Sequence, residues 1–244
     1  MGCPAHRTVY GRGGVGLPEE VQMEALGEGE STLRAIEAQK RFYALRAPDY
    51  LTGAPSDRGG NTPDAGLSES ERRALVDELS PTGEVLELGC GPGGFTRELA
   101  RHALSVTAVD ASPQMLARNE MEVAQPNVRY VAADIFEWRP EATYDVVFFG
   151  FFLSHVPPAA FDSFWGLVRA AVREGGRVAF VDEDDRAIDN DEVRVLDGVP
   201  VARRKLRDGQ EFDVIKVFWN PEELAVRLHQ LDWDVTVHRV GQAL

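Results

Sequence analysis

The sequence predicts an α/β fold, doubly wound around a mainly parallel sheet. Apolar runs of strand length alternate with helical patterns between residues 84 and 182, as parallel strands joined by crossover helices do. One strand-to-helix junction, Gly89-Cys90-Gly91-Pro92-Gly93-Gly94, is rich in glycine and lets a ligand approach bare backbone. A chain of 244 residues, 43% of them hydrophobic, is long enough to bury a full core as one domain.

Residues 1–30 are rich in glycine and acid and lack periodicity, so they read as a disordered tail, with Met23 as an alternative start. Gly11-Arg12-Gly13-Gly14-Val15-Gly16 fits a GxGxxG pattern. It follows only Thr8-Val9-Tyr10, short for a strand, and precedes Leu17-Pro18, so no ligand is expected there. One domain is expected over 31–244. Its first part, 31–66, forms a lid, with Leu33, Ile36, Tyr43, Ala44 and Ala47 at helical spacing and a polar, glycine-rich loop from Asp57 to Gly66. Ser68-Glu69-Ser70-Glu71 is a capping box that opens a helix to Leu79, stopped by Pro81. A strand at 84–88 leads into a helix at 93–103. The next strand ends at Asp110, and Ser112-Pro113 starts another helix. Further strands fall at 128–132, 145–150 and 177–182. Between the last two, a helix over 159–173 buries Phe161, Phe164, Trp165, Val168 and Val172. The turn Arg207-Asp208-Gly209-Gln210 joins 201–206 to 212–218 as a hairpin on the substrate side. Asn220-Pro221-Glu222-Glu223 caps a helix to about 231, and 234–240 reads as a strand.

The glycine turn has the context of a binding site. Behind it a helix N-terminus offers unpaired N–H groups to an anionic ligand group. Asp110 stands 21 residues after Gly89 at a strand end, where a carboxylate accepts hydrogen bonds from a ribose diol. A nucleoside cofactor follows from this pairing.

With Glu87 two residues ahead of the first glycine, the junction resembles the first motif of the class I S-adenosylmethionine-dependent methyltransferases, a hydrophobic strand followed by ExGxGxG. Glu87, Gly89, Gly91 and Gly93 match it in place. Ala133-Asp134-Ile135, the run Tyr144 to Phe149 and the run Gly175 to Val181 match later motifs, and the likeness spans roughly residues 34–240. The resemblance implies a Rossmann-like sheet and S-adenosylmethionine as cofactor. It places Asp110 on the ribose, Asp134 on the adenine amino group and Ile135 against the ring, and Ala111, Met115 and Phe149 complete the expected cofactor set. Phe42 to Tyr50 resembles the N-terminal lid of small-molecule methyltransferases, which directs Tyr43 and Arg46 to the cofactor carboxylate and Tyr50 to the substrate. A dinucleotide dehydrogenase, the other use of such a sheet, lacks the Glu87 and Asp134 positions. The methyltransferase fold normally adds a seventh, antiparallel strand at its end. Only Gly241-Gln242-Ala243-Leu244 follow Val240, so that strand is expected to be missing. The exposed edge is then covered by the hairpin or by a second chain in a homodimer, the second being preferred.

His155, just past the strand at 145–150, is the candidate general base; the competing reading makes it structural. Arg203 and Arg204 stand in a basic cluster with Lys205 and Arg207 and are candidates to hold an anionic acceptor. Residues 161–233 resemble the phosphonate O-methyltransferase of dehydrophos biosynthesis and its relatives, which implies a small anionic acceptor. Asp182-Glu183-Asp184-Asp185 reads as a solvated acidic loop, and no metal is expected. A net charge of −14 disfavours a nucleic-acid substrate. Two cysteines, no signal-peptide core and no long apolar run suit a cytoplasmic enzyme without a membrane partner. The expected function is therefore S-adenosylmethionine-dependent O-methylation of a small anionic molecule in secondary metabolism. The alternatives are a degenerate cofactor-binding homologue and a protein or tRNA methyltransferase.

Overall fold

The structure, a computed structural model, describes residues 6–13, 30–49, 67–186 and 192–240, with the backbone alone for 6–13, Asp49 and Val240. Tyr50 and the loop from Asp57 to Gly66 lie outside the described residues. The central sheet has seven strands. These are β1 (His6–Gly13), β2 (Glu84–Leu88), β3 (Ser105–Asp110), β4 (Val128–Ala132), β5 (Tyr144–Gly150), β6 (Val172–Glu183) and β10 (Trp233–Val240), in the spatial order β10-β1-β6-β5-β2-β3-β4. The five from β6 to β4 are parallel to one another.

Alternation along each strand splits the core in two. Leu86, Leu88, Val147, Phe149, Val178 and Phe180 face the helices α5 (Phe161–Ala171) and α6 (Pro221–Gln230). Val85, Val146, Phe148, Ala179 and Val181 face α2 (Glu69–Leu79) and α3 (Thr96–Ala100). Both faces of the sheet are thus dry, as the doubly wound reading requires. The local signals act as expected. Ser68 and Glu71 form the capping box of α2. The Ser112 side chain accepts the Met115 N–H at the start of α4 (Pro113–Val123), and Asn220 accepts two N–H groups at the start of α6.

Two expectations change. Residues 6–13 are not tail. They form β1, which pairs antiparallel with β6 on one side and β10 on the other. The antiparallel strand is therefore present and comes from the front of the chain. Gly11 and Gly13 of the first glycine motif lie within it. The missing-strand reason for expecting a second chain, or the hairpin, to cover that edge falls away. The acidic run is not solvated either: Asp182, Glu183 and Asp184 are buried. Asp182 accepts the Ser154 N–H at 2.9 Å, Glu183 pairs with Lys216, and Asp184 pairs with Arg186 at 3.1 Å and with Arg239 at 2.7 Å. Partnered in this way, the carboxylates tolerate burial.

The hairpin is one part of a second, three-stranded antiparallel sheet of β7 (Val193–Leu196), β8 (Val199–Lys205) and β9 (Glu211–Ile215). The helix α1 (Glu30–Arg46) packs on it through Ile36, which meets Val199, Val201 and Ile215. Leu33 shares the helical spacing of Ile36, yet it is exposed. The buried face of α1 is Thr32, Ile36, Gln39 and Phe42, with Gln39 on the wall of a cavity. Helix α1 and the small sheet together make a cap at the C-terminal edge of the parallel strands.

Candidate active site

A cavity lies between the cap and the C-terminal ends of β2, β3 and β5. Its walls include Glu87, Gly89, Gly91, Asp110, Ala111, Met115, Asp134 and Ile135 from the sheet side, Tyr43 from α1 and His155 from the loop after β5. Ten of the expected site residues are thus brought together.

The glycine turn is shaped for close approach. Gly89 has φ of +66°, and a Cβ there would stand 2.3 Å from the Phe152 ring. Gly93 has φ of +100°, and a Cβ there would meet Asn119 and Val123 at 2.7 Å. Gly93 serves helix packing and does not line the cavity. Below the turn, Thr96 donates to Glu87 at 2.6 Å, Asn119 donates to Thr96 at 2.8 Å and to the Gly91 carbonyl at 3.1 Å, and Tyr130 donates to Asn119 at 3.0 Å. This buried network braces the backbone that a cofactor must meet. Burial pushes the Glu87 carboxyl up to about 8, against the Thr96 bond, with the Asp110 charge adding to the rise. Asp110 accepts N–H bonds from Gly91 at 2.9 Å and Ser112 at 2.8 Å, which orient its carboxylate while burial raises its pKa. Asp134 accepts the Phe136 N–H at 3.0 Å and pairs with Lys40 of α1 at 2.8 Å.

The residues fit an adenosine-bearing cofactor: a cradle that a Cβ would fill, an oriented carboxylate on one side and a second carboxylate beside apolar Ile135 and Phe136 on the other.

Phe149 is not at the cavity. It is fully buried, stacked on Phe180 at 5.0 Å and edge-on to Phe164 and Trp165, because the alternation of β5 turns it into the α5 side of the core. Arg46 lies over the Phe42 ring at 5.9 Å and does not line the cavity. The two arginines of β8 part company. Arg203 pairs with Glu211 at 3.1 Å and Asp213 at 3.5 Å. Arg204 is half-buried, and its charge helps to depress the His155 ring. Neither lines the cavity itself.

His155 is more constrained than a free base. Its Nδ1 lies 2.8 Å from the Ile215 carbonyl, which only accepts, so Nδ1 carries the hydrogen. Nε2 then accepts from the Tyr43 hydroxyl at 2.9 Å. Burial, with the charges of Lys216 and Arg204, lowers the ring pKa to about 3. Both ring nitrogens are thus engaged and the ring is held neutral, an arrangement that bears on the choice between base and structural support. Sequence reasoning missed Gln39, Lys40, Phe152, Thr96, Asn119 and Lys216, which meet the site only through long-range packing.

Residues 85–176 match the family model described as a methyltransferase domain. Among solved structures, DhpI in its SAH complex is 36% identical, with a TM-score of 0.66 over 81% of this chain and 87% of that one. The DhpI-SAM-HEP complex gives 36% and 0.67 over 82% and 89%. A curated relative, trans-aconitate 2-methyltransferase of Escherichia coli, is 40% identical over 75 residues, 30% of this chain. The matched stretch spans only 29% of that relative's length. The fold, the glycine cradle and a solved relative alike over most of both chains lead to one statement: this chain is a member of the class I S-adenosylmethionine-dependent methyltransferases, with S-adenosylmethionine as its cofactor.

Proposed function

We propose that this enzyme methylates an oxygen of a small anionic molecule, and that the cap supplies the charge that selects it. The observation that carries this reading is Arg204, a half-buried guanidinium near enough to act on His155 at the cavity wall. The setting supports it. Residues 30–49 and 193–218, the cap, hold ten basic and seven acidic side chains in a chain of net charge −14. A relative named for trans-aconitate, a carboxylate anion, points the same way.

When bound, S-adenosylmethionine supplies a methyl group on a sulfonium. The chain's own residues then have to bind, orient and exclude water. Asp110 would hold the ribose, Asp134 the adenine amino group, and Gly89 and Gly91 the backbone side. Gln39 and Tyr43 of α1 line the cavity from the cap, and Phe151 and Phe152 line it from the loop after β5. An anionic oxygen has no proton to lose on methylation, which agrees with a histidine whose two ring nitrogens are engaged.

The test is turnover. Phosphonates, phosphate monoesters and carboxylates are offered with S-adenosylmethionine, and S-adenosylhomocysteine is measured. At least one anion class is expected to react. Arg204→Ala should then raise the acceptor KM by about 10- to 100-fold, with the cofactor KM within about twofold. Reaction of amines or neutral alcohols alone would refute the proposal.

A further inference from the structure

The loop 153–155 is a peg that runs from the body of the enzyme into its cap. On the body side, Ser154 N–H donates to Asp182 of β6 at 2.9 Å. On the cap side, the Val217 N–H donates to the Ser154 carbonyl at 2.8 Å, and Lys216 donates to the Ser154 hydroxyl at 3.1 Å. His155 completes the joint. Nδ1–H donates to the carbonyl of Ile215 at the end of β9, at 2.8 Å. Nε2 accepts the Tyr43 hydroxyl of α1 at 2.9 Å, with the two rings edge to face at 5.4 Å. The backbone carbonyl accepts Gln39 Nε2, also of α1, at 3.1 Å. One residue thus spends both ring nitrogens and its carbonyl on the two halves of the cap, and it does so at the cavity wall.

We infer that His155 is a positioning residue: it ties α1 to β9 over the cofactor cavity and fixes where Tyr43 stands, and it does not take a proton from the acceptor. The assignment holds whatever the acceptor is, because it depends on the cap and not on the group methylated. The imidazole suits the task, since its two nitrogens point apart and serve one acceptor and one donor at once. Burial and the nearby Lys216 and Arg204 keep it in the neutral form that this pattern needs. Glu183, which acts in the opposite sense on the ring, is already engaged by Lys216.

Hydrogen exchange on the full chain, alone and with S-adenosylhomocysteine, tests this without any acceptor. His155→Ala should speed exchange of amides in 30–46 and 211–215 by about tenfold or more, with β2, β3 and β5 unchanged. His155→Asn places an amide N–H where Nδ1–H stands. It should restore protection to 211–215 but not to 30–46. Tyr43→Phe should loosen 30–46 to the same degree, and adding it to His155→Asn should add nothing. Affinity for S-adenosylhomocysteine, measured by calorimetry, should fall by about fivefold or more in His155→Ala. Wild-type exchange in 30–46 for His155→Ala would overturn the inference, because a residue acting only on protons leaves the cap in place. Faster exchange spread evenly over β2, β3 and β5 would overturn it too, as the sign of general support to the fold. Failure of every anion to react in the turnover assay would leave this result untouched, so the two readings fail separately.

Discussion

Glu87 shows how one buried side chain couples the cradle to pH. Its carboxyl is 2% exposed, and burial holds its folded pKa near 8 against 4.5 for the free group. The unfolded chain sheds that proton near pH 4.5, while the folded chain keeps it until about 8. Folding therefore takes up a proton across this window, and the contribution of Glu87 to stability declines as pH rises through it, then levels. Glu87→Gln carries the protonated shape without the ionisation. Urea midpoints should match wild type at pH 4 and favour the variant above pH 8, by roughly 2–4 kcal/mol. Parallel pH slopes for the two proteins would contradict this. At this scale the sequence was a partial guide. Glu87, Gly89, Asp110 and Asp134 announce themselves by spacing along consecutive strands. Thr96, Asn119 and Tyr130, which brace the same turn, come from α3, α4 and β4. No local pattern marks a hydrogen bond between elements that meet only after folding. His155 was legible as a residue of the site, with base and structural support both open, because its partners on α1 and β9 lie 60 or more residues away in the chain.

Among the elements, those with a local signature came through and one without did not. The strands of the parallel sheet are short apolar runs, and the helices carry caps at Ser68, Ser112 and Asn220. Strand β1, His6–Gly13, contains two glycines and two arginines, a composition that resembles a tail. What makes it a strand is the gap between β6 and β10, where Thr8 faces Val181 on one side and His238 on the other. The prediction is direct. A chain starting at Met23 loses β1 and exposes both flanking strands along their backbone donors and acceptors. It should be markedly less stable, by about 3 kcal/mol or more, and prone to self-association. Thermal melting and light scattering on the shortened chain provide the check. A shortened protein with an unchanged Tm and a monomeric mass would deny β1 its place in the sheet.

Across the whole molecule, charge is divided between cap and body. The cap is on balance basic, and the remainder carries the excess acid. The anionic acceptor proposed above would be drawn toward the cap by a field that salt screens, with a Debye length falling from about 30 Å at 0.01 M to about 8 Å at 0.15 M. The acceptor KM should therefore rise several-fold over that range while kcat stays nearly constant. A KM indifferent to salt would mean that recognition rests on short-range contacts alone. Among the described residues no helix is long and apolar enough to cross a membrane. Strand β1 also sets a schedule. Its partners stand 165 to 177 residues further along the chain in β6 and 220 to 234 further along in β10. Partners within the five parallel strands are far nearer in sequence, as in Val85 with Val106 and Val85 with Val146. Contacts of such long separation form slowly, so β1 is expected to be the last strand to lock into the sheet; in refolding followed by pulsed hydrogen exchange, its amides should gain protection after those of β2 and β5, and simultaneous protection would deny this order.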